Sequence, residues 1–131
     1  MRAHKKRVVV FRLTLDLMRG VAESMRKVRK TRYKPGTCAL VMAVAIGDLE
    51  SRPMSAAKIA EYIGIPRTSV LRRLQGLERA GMIARNGDAT FVLAHEEVCD
   101  VGRDALKIIH RAALELSKMD DDAIAAKRRH T

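Results

Sequence analysis

Arg67, Thr68, Ser69, Arg72, Arg73, Gln75 and Arg79 crowd into one short stretch of the sequence, several of them three or four residues apart. A guanidinium can donate two parallel hydrogen bonds to a phosphate or to the edge of guanine. A carboxamide can pair in the same way with adenine, and a hydroxyl can bond a phosphate or a base edge. No activated nucleophile, phosphate-cradling glycine loop or H-E-x-x-H pattern accompanies the row, so its chemistry is recognition of a polyanion. Asp120 to Asp122 form an acidic run, but they fall in a tail with nothing to hold them in catalytic geometry, and no enzyme activity is expected.

Such side chains act together only if a helix aligns them. Projected at about 100° per residue, 67–80 places Val70, Leu74 and Leu77 within about 60° of one another. Thr68, Arg72, Gln75 and Arg79 gather on the opposite side, flanked by Ser69 and Gly76. One face anchors and the other is free to bind. Gly76 lowers helix propensity by about 1 kcal/mol relative to Ala, a cost that close approach of another backbone would justify.

The brace for this helix precedes it. Ser55 is a good N-cap for a short helix over 56–63, with Met54 and Ile59 spaced as a hydrophobic staple. Gly64 supplies the turn, Pro66 presets the next helix start, and Gly81 stops that helix. Ala60, Gly64 and Val70 follow A-x3-G-x5-V, the spacing of a helix-turn-helix. Ile59, Ile63 and Ile65 fill the wedge between the two helices. Beyond Gly81, the runs 82–85 and 90–93 flank Asn86-Gly87, the strongest two-residue hairpin signal.

Three more helices complete the reading. Over 6–30, Phe11, Leu15, Met18, Ala22 and Met25 make an apolar stripe widened by Val10, Leu17, Val21 and Val28. That pattern suits a packing or dimerisation arm better than a membrane-surface anchor. After the turn "TRYKPGT", nearly every residue of 37–49 is apolar, which places this helix at the centre of the core. Over 96–118, Val98, Val101, Ala105, Ile108, Ala112 and Leu116 share a side, with Ile109 and Ala113 beside them. The charged tail 119–131 is expected to fray.

"GIPRTSVLRRLQGLERAGMI" and its surroundings resemble the winged helix-turn-helix domains of bacterial and archaeal transcription regulators. The flanking helices resemble the MarR type, in which terminal helices intertwine in a dimer. The wing lacks that type's D-x-R element and is similar to the shorter wing of the IclR type. The resemblance implies a mainly α fold with a small β-hairpin and long N- and C-terminal helices. Its parts are a basic N-terminal arm at 1–34, the winged domain at 35–94, a dimerisation helix at 95–118 and the tail at 119–131.

The resemblance further implies that Arg67, Thr68, Ser69, Arg72 and Arg73 meet the major groove or phosphates, and that Arg85 to Asp88, with Arg85 and Asn86 as contacts, form the wing tip near the minor groove. Gln75 and Arg79 join them on helical spacing. The partners implied are double-stranded DNA, a second copy of the chain, and a small-molecule effector in a pocket between dimer helices and winged domains. No residue marks that pocket. The competing reading is a winged-helix adaptor that docks on an acidic protein.

Composition agrees. The 131 residues carry a formal charge of +11, concentrated at +10 over 1–34 and +4 over 67–85. "HKKR" at His4 to Arg7 reads either as a phosphate-gripping arm or as a solvated terminus. Aromatics make up only 3%, leaving an aliphatic, methionine-rich core. Cys38 and Cys99 are too far apart for a C-x-x-C site, and no metal or other cofactor is implied. A reduced, cytoplasmic protein fits, and the longest apolar run, 38–47, is about half of a bilayer span.

Overall fold

The computed structural model describes residues 2–30, 32–87, 89–95 and 101–129. In chain order the elements are α1 (Arg2–Arg29), α2 (Pro35–Leu49), β1 (Met54–Ser55), α3 (Ala56–Ile63), α4 (Arg67–Arg79), β2 (Ile83–Asn86), β3 (Thr90–Leu93) and α5 (Val101–Arg129). They form two compact units, one of residues 1–20 with 102–131 and one of residues 21–101. No helix among the described residues is long and apolar enough to cross a membrane.

The larger unit is built around α2. Leu40, Val41 and Val44 of this helix, Ile59 of α3, Val70, Leu74 and Leu77 of α4, and Met82, Ile83 and Phe91 of the sheet are all buried in one cluster with Met25 of α1. Cys38 is part of it, and burial pushes its thiol pKa up, as for a small apolar core residue. Helix α2 begins at Pro35, two residues earlier than the apolar run suggests. Lys34 is extended and proline is favoured at a first helical position, where its missing N–H costs nothing.

Chain punctuation follows the expected chemistry at α3 and α4. The Lys58 N–H donates to Ser55 Oγ at 3.2 Å, capping α3. Gly64 ends α3 in the left-handed region, with φ 73°. Helix α4 closes in a Schellman arrangement: the Gly81 N–H donates to Glu78 O and the Met82 N–H to Leu77 O, each at 3.0 Å, with Gly81 at φ 74°.

The sheet departs from the expected hairpin in two ways. It has three antiparallel strands in the order β1-β3-β2, because Met54 and Ser55 pair with Phe91 and Thr90. A strand of two residues has no readable periodicity. The second strand is also shifted: β2 runs over 83–86 rather than 82–85, and Asn86, expected in the turn, is its last residue and pairs with Thr90. Thr90 Oγ1 donates to Asn86 O at 2.8 Å, which holds Asn86 in the strand and leaves Gly87, at φ 66°, with positive φ. An unforeseen tie joins this sheet to α2, where the Leu93 N–H donates to Asp48 Oδ2 at 3.0 Å. Gly47 is needed nearby, since a Cβ there would stand 2.8 Å from the Arg52 carbonyl.

The smaller unit contains the first part of α1 and most of α5. Val9 and Ala112 are buried in it, and Lys6 Nζ meets Asp120 Oδ1 at 2.6 Å. Two expectations change here. Helix α1 starts at Arg2, so "HKKR" is helical, and α5 continues to Arg129, so residues 119–129 are not frayed. The reason lies in Ala123, Ala125 and Ala126, strong helix formers, and in Lys127, Arg128 and Arg129, which suit the negative end of the helix dipole. The expected helical turn at 96–100, with Val98 and Cys99, lies outside the described residues.

Candidate nucleic-acid interface

Helix α4 separates its two faces as its sequence requires. Val70, Leu74 and Leu77 are 0–2% exposed, whereas Arg67, Thr68, Arg72, Gln75 and Arg79 are exposed and Ser69 is half-buried. The buried row fixes the helix against α2 and α3. The polar row therefore emerges from a rigid support, with its side chains spread over about 18 Å of helix axis. Arg79 Nε also lies 3.4 Å from Gln75 O, one turn back on the same helix.

Arg73 occupies a different place. It is half-buried, and a Cβ on Gly36 would collide with its Nη1, so the guanidinium lies against the start of α2. Its Nη1 is buried without a hydrogen-bond partner among the described residues. Gly76 is exposed and a Cβ there would meet nothing within 4 Å. Nothing among the described residues crowds that position.

Arg85 is not at the wing tip. It stands on β2 opposite Phe91, and its Nε donates to Glu78 Oε2 at 3.1 Å. Its guanidinium carbon lies 5.4 Å from the centre of the Phe91 ring. Asn86, at the end of β2, is exposed. Glu78 and Gly36 were not legible as functional neighbours: each acquires its role from a residue distant in sequence or across a turn. The only hint was Glu78 as a lone acid on a basic helix.

A three-helix core with α4 presented outward, followed by a β2–β3 hairpin that pairs with the earlier strand β1, is decisive. The fold is a winged helix-turn-helix. Residues 49–87 match the IclR helix-turn-helix domain, the stretch that runs from the end of α2 through the first wing strand. Over the whole chain this winged helix-turn-helix is similar to MepR, a transcription regulator of the Staphylococcus aureus multidrug efflux pump MepA. The identity is 14%, 92% of each chain is covered, and the TM-score is 0.57. It is similar also to the multiple antibiotic-resistance repressor MarR from Listeria monocytogenes, at 14% identity, 97% of this chain, 88% of that chain and TM-score 0.57. The YusO protein from Bacillus subtilis is 17% identical, with 98% and 95% covered and TM-score 0.55. No curated protein sequence matches the chain. The MarR-like helical layout and the winged helix-turn-helix expected above are thus both found, with a third strand added.

Proposed function

We propose that this winged helix-turn-helix protein is a sequence-specific double-stranded DNA-binding transcription regulator that acts as a homodimer. The observation that carries the reading is the exposed row Thr68, Arg72, Gln75 and Arg79 on a helix whose other side is fully buried. That row has the width and the donor set to enter the major groove, where Arg reads guanine and Gln reads adenine. Arg67 and Ser69 lie at its leading end, near the phosphates, Arg73 is turned against the start of α2 and adds no contact from this row, and the wing runs beside the backbone or minor groove with Asn86 close to its tip. The match to a helix-turn-helix domain and the regulators among the similar structures support this function. The experiment that tests it is selection of bound duplexes from a random pool. A near-palindrome with half-sites about 34 to 36 Å apart is the expected product, and recovery of no preferred sequence would contradict specific reading.

The homodimer rests on apolar surface that the single chain leaves uncovered. Phe11, Leu15 and Met18 of α1 are 65%, 56% and 41% exposed, and Leu106, Ile109 and Leu114 of α5 are 68%, 45% and 58% exposed. Stripes of this kind on long helices are what a symmetric partner covers. Sedimentation at micromolar concentration is expected to show a two-chain species, and Phe11→Arg combined with Leu15→Arg to reduce it to one. A wild-type monomer would contradict the assembly.

A further inference from the structure

Arg85 looks from sequence like a cation for the DNA backbone, but its half-exposed side chain is held along the sheet toward α4. Residues directly opposite in an antiparallel pair share a face of the sheet. Arg85 is paired with Phe91, which is 3% exposed, and is two residues from Ile83, which is 2% exposed. Its side chain thus leaves β2 on the core-facing side. It passes over the Phe91 ring and ends on Glu78, with both carboxylate oxygens within 3.4 Å of Nε. Glu78 lies in the last turn of α4, just before the Schellman turn that leads into β2.

The polypeptide connects α4 to β2 through one glycine-containing turn, and the base of the hairpin is held by buried Ile83 and Phe91, by the pairing of β3 with β1 and by the Asp48 tie. The Arg85–Glu78 pair is a second attachment between β2 and α4, beyond that base and toward the wing tip, and the Phe91 ring beneath it restricts where the guanidinium can go. We propose that Arg85 is a positioning residue that, through Glu78, fixes the angle between the wing and α4. The proposal rests on the duplex-binding reading. It assigns to Glu78, an acid beside a polyanion site, a role favourable to binding.

The sign of one substitution separates this role from direct phosphate contact. If the pair positions the wing, Glu78→Gln and Arg85→Gln each weaken binding to the pool-selected duplex by about threefold to tenfold. The salt slope of binding then stays at the wild-type value, and exchanging the two residues, Glu78→Arg with Arg85→Glu, recovers affinity. If Arg85 grips a phosphate, Glu78→Gln strengthens binding by removing a repelling charge, and Arg85→Gln lowers the salt slope by about one. Tighter binding by Glu78→Gln overturns the proposal even if the exchanged pair fails to fold. Amide hydrogen exchange of the free chain supplies a readout without DNA: Glu78→Gln is expected to speed exchange in 83–93 while leaving α2 unchanged, and unchanged wing exchange would overturn the second attachment. Absence of duplex binding by the wild type, with wing exchange accelerated as expected, would refute the functional reading and leave the attachment standing.

Discussion

Leu74→Ala is expected to destabilise the protein by about 2 to 5 kcal/mol. Leu74 is 1% exposed and lies in the middle of the buried row of α4, within the cluster that joins α2, α3 and the sheet. Truncation removes the apolar transfer energy of the side chain and leaves a cavity that the short helices α3 and α4 cannot close without shifting. Domains of this size are stable by only about 5 to 15 kcal/mol, so the loss is a large fraction of the total. The effect reaches function directly, because the same helix carries Arg72 and Gln75 on its other side. Leu71, on the same helix but 37% exposed, is the control: its replacement by alanine should cost less than about half as much. Urea unfolding of both variants checks the difference, and equal midpoints would contradict the two-faced description of α4.

The second large effect is on salt dependence. Arg67, Arg72 and Arg79 are exposed and none is paired with a carboxylate among the described residues. Two subunits bring about six such cations to the duplex, and each phosphate neutralised contributes about −0.9 to the slope of log affinity against log salt. Between about 50 and 200 mM salt the association constant should therefore fall by about a thousandfold. Arg85 is left out of this count because Glu78 already neutralises it. A loss of only about tenfold over that range corresponds to about two phosphates neutralised, and would mean that most of these arginines do not meet the duplex. The adaptor reading would then regain its place.

The helix-turn-helix was readable in the sequence because its boundaries are set by local chemistry. Ser55, Gly64, Pro66 and Gly81 each act within a few residues of themselves, and the period of Val70, Leu74 and Leu77 identifies the buried side of α4 without reference to anything else. The identity of the exposed face follows from the same period. Features decided by pairing across the chain were not readable. β1 is a strand only because Phe91 and Thr90 lie opposite it, and the place of Asn86 in β2 rather than in the turn depends on its pairing with Thr90, whose hydroxyl reaches it. Arg73 and Arg85 looked alike in sequence, two more arginines in a basic stretch. Gly36 and Glu78, which decide where they go, belong to other elements. The C-terminal helix was underestimated for a related reason: its acidic run suggested a solvated tail, whereas Ala123, Ala125 and Ala126 and the final basic residues favour continued helix.

The most direct measurement is a titration of the selected duplex with wild-type protein and with Arg72→Ala at about 50 mM salt, followed by the same titration on single-base variants of the site. Wild type should bind, and Arg72→Ala should bind more weakly by about 1 to 3 kcal/mol, roughly 5-fold to 150-fold, with reduced discrimination at one position in each half-site. If Arg72→Ala retains wild-type affinity and the same base preference, α4 does not read DNA through its exposed face.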